Sequence, residues 1–228
     1  MAAQNKPLAG VKVIDLTQIY QGPYAAFLFA QAGADVIKVE PLAGERLRGA
    51  GGAKTPLSFA MLNSNKRAVT LKLRDEEGKE LLRELVKDAD VLLENYAPGV
   101  MDRLGVGWEA LKNINPTLIY GSGTGYGLSG PDRDLLAMDH TIQAASGVMS
   151  ATGDADSPPS RSGGAPCDIM GGIHMYAGVL AALQGRAVTG RGTRVEVSML
   201  EAMYFTLSSE LSIHHATGEL PPRNSARS

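Results

Sequence analysis

Short apolar segments alternate along the chain with longer segments whose apolar residues repeat at helical spacing. Residues 11–16 and 36–39 are apolar and β-branched, which is typical of buried strands. Between them, residues 24–31 are rich in Ala, Phe and Leu; Pro23 falls in the first turn of this segment and Gly33 follows its end, as at many helix termini. The order strand, helix, strand predicts a β-α-β unit and therefore a parallel sheet.

The same alternation continues beyond this first unit. We therefore predict an α/β protein with an open, mostly parallel, Rossmann-like sheet and helices on both faces. Further strands are predicted at residues 68–73, 91–93, 117–120 and 194–198, further helices at 75–86, 98–104, 108–114, 135–149, 168–183 and 199–215, and long loops at 41–56 and 154–164.

Composition narrows the class of protein. Hydrophobic residues make up 44% and charged residues 20% of the 228 positions, as in soluble globular proteins. The net charge of −2 and the aromatic content of 5% disfavour a broad nucleic-acid surface. The first residues lack the apolar core of a signal peptide, and no segment approaches the ~20 apolar residues of a membrane span. We expect a cytoplasmic protein that binds neither nucleic acid nor membrane.

Common cofactor and metal motifs are not found. The first predicted β-α turn, residues 17–23, has one glycine and lacks the G-x-G-x-x-G of dinucleotide sites. Glu40 stands where such folds place a ribose-binding acid, but without the glycines it is more typical of a loop carboxylate. No Walker motif occurs, the four histidines contain no i, i+4 pair, and one cysteine excludes an internal disulfide. The sequence predicts no permanently bound cofactor and no metal.

Basic residues gather around one predicted strand and beyond the next. Asn95 follows the strand at 91–93, at the edge where open α/β sheets bind ligands. Pro98 and Gly99 then begin a short helix whose free N–H groups favour anions. Each basic residue alone is typical of a solvated surface, but together they favour a phosphorylated small molecule. The basic residues are Lys66, Arg67, Lys72, Arg74 and Arg103.

Two neighbouring residues are candidates for a nucleophile. Cys167 is adjacent to Asp168, whose charge raises the pKa of the thiol, so we predict a buried and inert cysteine. Asp168 alone is most simply a helix N-cap. Gly171 and Gly172 in the same turn leave backbone room for a bulky ligand, and a carboxylate at a helix N-terminus is expected to stay ionised. Asp168 is therefore also competent as a covalent nucleophile.

Ordered segments at matching spacing carry a resemblance to a known family. The sequence resembles the class III CoA-transferases, which include formyl-CoA transferase, carnitine CoA-transferase and the α-methylacyl-CoA racemases. The resemblance runs from about Leu8 to Met203. Its segments are LAGVKVIDLT (8–17), GADVIKVEP (33–41), NSNKRAVTLKL (63–73), ADVLLENYAPG (89–99), RLG (103–105), QAASG (143–147), TG (152–153), PP (158–159), TGRG (189–192) and VEVSML (195–200).

The resemblance implies a covalent mechanism. Transferases of the family use an aspartate to attack the thioester of an acyl-CoA, pass through a mixed anhydride, and hold CoA as an aspartyl thioester until a carboxylate acceptor takes it. Asp168 occupies the nucleophile position in the matching Asp-x-x-x-Gly context. Coenzyme A is thus implied as part of the substrate.

The resemblance also implies which residues contact CoA. Tyr20 departs from formyl-CoA transferase, which has Gln there, lining the acyl site. The implied contact positions are Ile19, Tyr20, Gln21, Leu71, Arg74, Asn95, Tyr96, Val100 and Arg103.

Two alternatives remain open at this point. Racemases of the family carry His before the position of Asp139, where this chain has Met138 and places His140 on the other side. Because a racemase needs two acid/base groups, this departure disfavours a 2-methylacyl-CoA racemase or epimerase. The other alternative is a CoA-binding module without turnover.

Members of the family are considerably longer than this chain and have a second, smaller domain. The resemblance therefore implies that residues 1–203 form the large N-terminal CoA-binding domain. Residues 204–228 would begin the connection to a second domain that the chain lacks, and the fragment itself is expected to be a poor catalyst. Because family members form interlinked homodimers, the implied partners are an acyl-CoA, a carboxylate acceptor and a second copy of the chain.

Overall fold

A single sheet of six parallel strands organises the chain. The computed structural model describes residues 6–52 and 56–223. The strands are β1 (Lys12–Asp15), β2 (Asp35–Glu40), β3 (Arg67–Thr70), β4 (Val91–Glu94), β5 (Ile119–Thr124) and β6 (Thr193–Ser198). They lie in the order β3-β2-β1-β4-β5-β6, so the chain leaves β1 toward one edge through β2 and β3 and returns to build the other edge from β4. The predicted α/β class with a parallel, Rossmann-like sheet is confirmed.

Helices connect the strands and follow the last one. They are α1 (Gln21–Gln31), α2 (Leu57–Asn63), α3 (Glu76–Lys87), α4 (Val100–Arg103), α5 (Trp108–Ile114), α6 (Asp139–Ala145), α7 (Val148–Ala151), α8 (Pro166–Thr189), α9 (Met199–Tyr204) and α10 (Ser208–Thr217). Short 3₁₀ segments lie at Arg46–Gly52 and Phe205–Leu207.

Both faces of the sheet are covered, because successive side chains of a strand point to opposite sides. On one face, Val13 packs with Phe29 of α1 and Met175 of α8. On the other, Ile14 packs with Leu82 of α3 and Leu111 of α5. Each such fully buried side chain contributes about 1.5–3 kcal/mol to stability. Helices on both faces were predicted from the alternation of elements and are confirmed.

Helix α8 lies across one face of the sheet. It is longer than the predicted segment 168–183: it begins at Pro166, whose missing N–H suits a first helical position, and ends before Gly190 at φ +69°. By length and composition alone, this 24-residue helix is apolar enough to cross a membrane. A share of 33% of its most apolar 18-residue window is buried in the chain.

Two predicted helices are divided in the structure. The segment 135–149 forms α6 and α7, separated by Gly147 at φ +89°, and its first residues are not helical. The segment 199–215 is likewise divided into α9, a 3₁₀ turn and α10. Apolar spacing alone missed these breaks because left-handed glycine conformations and single 3₁₀ turns leave the periodicity almost unchanged.

The loop predicted at 41–56 and the strand predicted at 117–120 also differ from the structure. A 3₁₀ helix occupies Arg46–Gly52, residues 53–55 lie outside the described part of the chain, and α2 follows without having been predicted. Strand β5 continues through Gly121 to Thr124. The glycines fit because neighbouring elements are close: a Cβ on Gly121 would lie 2.7 Å from Cδ2 of Leu93.

We predict that Gly123→Ala destabilises the fold by about 1–3 kcal/mol through overpacking. The new Cβ would lie 2.5 Å from Cε of Met175 and 2.8 Å from Oε1 of Gln21. Gly185→Ala in α8 is the matched control, since nothing lies within 4 Å of its Cβ position and Ala favours a helix by about 0.5–1 kcal/mol over Gly. Urea unfolding should show a lower stability for Gly123→Ala and a higher stability for Gly185→Ala than for the wild type. Equal stabilities would show that β5 accommodates the added methyl group.

Candidate active site

Hydrogen bonds between two loops define one side of the candidate site at the carboxyl edge of the sheet. Strands β1 and β4 are neighbours whose connections leave in opposite directions, which is where open α/β sheets form a ligand crevice. Oδ1 of Asn95 accepts the backbone N–H of Gln18 at 2.8 Å, and its Nδ2 donates to the Gln18 carbonyl at 2.9 Å. This reciprocal pair fixes the loop after β1 against the loop after β4.

A cavity of about 470 Å³ lies at this edge. Asp168 lines it together with four of the implied CoA-contact residues, namely Ile19, Gln21, Asn95 and Tyr96. The carboxyl end of β5 and the two residues after it also contribute, through residues 123–126. A second depression, of about 530 Å³, lies between α3 and the face of β1, β2 and β3, and Asp168 does not line it.

The remaining implied contact residues do not line this cavity. Tyr20 is the half-buried N-cap residue of α1, and Leu71 is only 7% exposed within the core. Val100 is half-buried at the start of α4, while Arg74 and Arg103 are exposed. The guanidinium of Arg103 lies against Gly99, where a Cβ would be 2.9 Å from Nη1.

The first turn of α8 is held by a carboxylate from another element. Oδ2 of Asp139 accepts the backbone N–H groups of Cys167 at 2.8 Å and Asp168 at 3.1 Å. Gln143 fixes this carboxylate by donating from Nε2 to Oδ1 at 2.6 Å. Ala165 is the N-cap and Asp168 is the third helical residue, so the N-cap interpretation of Asp168 was wrong. Asp139 satisfies the free helical N–H groups, which leaves the Asp168 side chain available to the cavity.

The expectation that Asp168 stays ionised is also corrected. Burial raises the pKa of Asp168 to about 7, the charge of Asp139 adds to this rise, and a hydrogen bond from the backbone N–H of Gln21 opposes it. The field of the helix N-terminus is thus outweighed by the loss of water and by a second acid.

The glycines after Asp168 make room for a helix, not for a ligand as the sequence suggested. A Cβ on Gly172 would lie 2.6 Å from the backbone oxygen of Gln21, and one on Gly171 would lie 2.8 Å from its Nε2. These glycines therefore allow α1 to approach α8 closely. That approach brings the Gln21 N–H to the Asp168 carboxyl.

The side chain of Gln21 is buried without a full set of partners. It is 2% exposed, and its Nε2 has no hydrogen-bond partner among the residues that the structure describes. A buried amide in this state costs about 1–3 kcal/mol.

Buried charges fix the loop after β1. Nζ of Lys66 lies 2.8 Å from Oδ2 of Asp15, and Nζ of Lys38 donates to the Thr17 carbonyl at 2.8 Å. Burial raises the pKa of Asp15, but Lys38 and Lys66 outweigh it and hold the pKa below its usual value. Lys66 is thus a structural cation with a side chain that is 1% exposed, and not part of a phosphate cluster.

Two more members of the predicted basic cluster have intramolecular partners. Arg67 makes two hydrogen bonds to Asp35, and Lys72 pairs with Asp75 at 2.8 Å. Both pairs are exposed and therefore weak.

Ile19 adopts a strained backbone conformation beside the cavity. Its φ is +68°, a left-handed value that costs a β-branched residue about 1–3 kcal/mol. Oε1 of the buried Glu45 holds it there by accepting the Ile19 N–H at 3.0 Å. No local pattern in the sequence signals this strain, because it depends on a residue 26 positions away.

Glu94 is a second buried acid that the sequence analysis missed. It accepts the backbone N–H of Tyr96 at 2.9 Å and the hydroxyl of Ser122, so it braces the loop after β4 against β5. Burial raises the pKa of Glu94 to about 7, although both hydrogen bonds favour the ionised form. Its position at the last residue of a buried strand was the available signal.

Thiol and metal chemistry are not favoured here. Burial raises the pKa of Cys167 to about 12, and Asp139 and Asp168 add to the rise, which agrees with the predicted inert thiol. Within residues 6–52 and 56–223, no three His, Cys, Asp or Glu side chains come together as a metal site.

Comparison with known proteins identifies the family. The chain matches CoA-transferase family III over residues 8–228. It is 42% identical over 226 residues to the acetyl-CoA:oxalate CoA-transferase of Acetobacter aceti, covering 97% of this chain and 58% of that protein. It is 44% identical over 202 residues to the formyl-CoA:oxalate CoA-transferase of Streptomyces avermitilis, covering 87% and 49% respectively.

A solved structure agrees with this assignment. A CAIB/BAIF family protein from Brucella suis superposes with a TM-score of 0.93 at 38% identity, covering 96% of this chain and 60% of that one. The chain spans about half the length of the curated relatives that it matches. The profile match across nearly the whole chain and the shared fold place this chain in CoA-transferase family III.

Proposed function

We propose that the protein containing this chain is an acyl-CoA:carboxylate CoA-transferase with Asp168 as its covalent nucleophile. The observation that carries the proposal is the position of the Asp168 carboxyl. It lines the crevice at the β1–β4 switch point, while Asp139 takes over the capping of α8. The relatives named as CoA-transferases support the same class of reaction.

The reaction proceeds through four balanced acyl transfers. The Asp168 carboxylate attacks the thioester carbonyl of the donor, which releases CoA thiolate and forms a mixed anhydride. The thiolate attacks the aspartyl carbonyl, which releases the donor's carboxylate and leaves an aspartyl-CoA thioester. The acceptor carboxylate then repeats both steps in reverse order and leaves as its own CoA thioester, with Asp168 restored. No net proton, water molecule or electron is consumed.

The chain's own residues prepare Asp168 for this attack. The backbone N–H of Gln21 orients the carboxyl, and Asp139 holds the turn of α8 that carries it. Burial leaves the carboxylate poorly solvated, so less hydration has to be removed when the thioester approaches to ~3–3.5 Å.

We propose that CoA extends from the cavity across the loop after β4. Ile19, Gln21, Asn95 and Tyr96 line the inner part of this path. The exposed guanidinium groups of Arg74 and Arg103 suit the phosphates of the nucleotide end, since neither is held by a carboxylate among residues 6–52 and 56–223.

The racemase alternative has less support in the geometry. Met138 lines the cavity at the position where racemases carry His, and the exposed His140 is not among the lining residues. Asp139 is occupied by the N–H groups of α8, which leaves Asp168 as the candidate base. The second domain beyond residues 204–228, the homodimer and the cytoplasmic location remain predictions.

We predict that Asp168→Asn abolishes CoA transfer in the complete protein while preserving the fold, because the amide keeps the shape of the carboxyl but is not a nucleophile. The measurement is exchange of CoA between an acyl-CoA and a carboxylate, run beside exchange of the α-proton. Asp156→Asn, at an exposed loop position, is the matched control.

Folding of the variant has its own readout. Because the pKa of Asp168 is raised in the fold, its contribution to stability is complete below pH ~4 and is lost as the pH rises through about 7. Asp168→Asn should therefore raise the unfolding free energy at pH 8 and change it little at pH 4. Retained transfer in this variant would contradict the proposal; α-proton exchange without transfer would favour the racemase, and binding without either reaction would favour the CoA-binding module.

We predict that kcat/KM rises with pH and levels off above about 7, because Asp168 must be ionised to attack and its pKa is raised to about 7. Burial also raises the pKa of Glu94 to about 7, so the dependence of kcat/KM on pH must be measured in Glu94→Gln as well. The rise should persist in Glu94→Gln; its disappearance there would assign the titration to Glu94 instead.

We predict that Arg103→Ala weakens CoA binding by about 1.5–3 kcal/mol, the range for hydrogen bonds to charged groups. Arg191→Ala is the control, since Arg191 is exposed in the loop that enters the opposite edge of the sheet before β6. Titration calorimetry with CoA measures both variants, and unchanged affinity for Arg103→Ala would remove this residue from the site.

A further inference from the structure

The side-chain amide of Gln21 occupies a slot between β5 and α8 beside the nucleophile. Its Oε1 lies 2.8 Å from the position of a Cβ on Gly123, and its Nε2 lies 2.8 Å from that on Gly171. Met175 and Met199 approach the same two glycines. Any larger residue at either glycine would displace the amide, so both elements are shaped to hold it.

The nitrogen of the Gln21 amide has no hydrogen-bond partner among the described residues around this slot. Nε2 is shielded from solvent and bonds to none of the described residues, although buried polar groups are nearly always paired. A methionine or leucine would fill a similar volume without the cost of an unpaired donor. The polar side chain therefore does not benefit the free protein.

Gln21 is at the same time adjacent to the reacting group. Its backbone N–H donates to the Asp168 carboxyl, and Gln21 lines the same cavity as Asp168 and Gly123. Rotation about the Cγ–Cδ bond exchanges the two ends of the amide and moves the nitrogen to the side of Gly123, which lines the cavity.

Three other polar side chains of the cavity already have partners, while the exposed guanidinium groups of Arg46 and Arg133 also line it. The hydroxyl of Thr124 accepts the N–H of Gly127, that of Thr141 donates to the Met138 carbonyl, and the amide of Asn95 is held by Gln18. When Asp168 attacks a thioester, negative charge develops on the carbonyl oxygen, which needs a donor in a site that excludes water.

We propose that Nε2 of Gln21 donates a hydrogen bond to the acyl carbonyl oxygen as Asp168 is acylated, so the amide gains its partner only in the reacting complex. This inference rests on the proposed transferase function. It adds to Gln21 a role in catalysis beyond contact with CoA. The amide keeps its protons throughout and makes no covalent bond.

The test is Gln21→Met in the complete protein, which keeps the length of the side chain and removes the donor. We expect kcat/KM for CoA transfer to fall about 10²–10³-fold, as for the loss of an oxyanion donor. The Kd for CoA should stay within about twofold of the wild type, because the lost hydrogen bond stabilises only the transition state. The urea midpoint should be equal to that of the wild type or higher. Gln31→Met, exposed at the end of the same helix, is the matched control and should leave all three unchanged.

Gln21→Leu is the second variant, in case methionine packs poorly in the slot. Transfer within about threefold of the wild type in either folded variant overturns the inference. A lower urea midpoint or loss of folding in both also overturns it, because the proposal requires that the free protein gain no stability from the amide. Failure of the transferase function itself is distinguishable, since wild type and Asp168→Asn would then have equal transfer activity.

Discussion

The close approach of α1 to the first turn of α8 determines the rest of the site. Gly171 and Gly172 allow it, because any side chain there would collide with Gln21. The contact places the Gln21 N–H on the Asp168 carboxyl and inserts the Gln21 amide between α8 and β5. Asp139 completes the arrangement by capping α8, which leaves the Asp168 side chain available to the cavity.

Several features around this contact lower the stability of the fold. Ile19 is held at φ +68°, the Gln21 amide lacks a partner among the described residues, and two acids, Asp168 and Glu94, have pKa values raised to about 7 by burial. Such costs gather at functional sites because the surrounding fold over-determines the local conformation. Here that rigidity comes from the buried ion pair of Asp15 and Lys66 and from the hydrogen bonds between Asn95 and Gln18.

The sequence predicted what depends on local pattern. The alternation of apolar runs and helical periods was sufficient for the parallel α/β sheet. The choice of Asp168 as nucleophile stays a prediction, because the glycines that first favoured it make room for α1 rather than for a ligand. The helix predicted at 135–149 failed because Gly147 adopts φ +89°, which no periodicity reveals. The N-cap assignment of Asp168 failed because the capping carboxylate comes from Asp139, 28 residues before Cys167.

Long-range electrostatics explain the remaining differences. Lys66 appeared basic and available in the sequence, but its partner Asp15 lies 51 residues away and removes it from any phosphate site. The ionisation of Asp168 was likewise misjudged, because burial and Asp139 act through the fold and outweigh the helix terminus that the sequence shows. Such contacts form only when the sheet is assembled, so a local sequence pattern does not predict them.

Trapping of the intermediate shows whether Asp168 becomes covalently modified during transfer. The complete wild-type protein is mixed with an acyl-CoA in the absence of acceptor, quenched, digested and analysed by mass spectrometry. We expect an acyl or CoA adduct on the peptide that contains Asp168, and no such adduct in Asp168→Asn. An unmodified Asp168 peptide from protein that transfers CoA under the same conditions would contradict it.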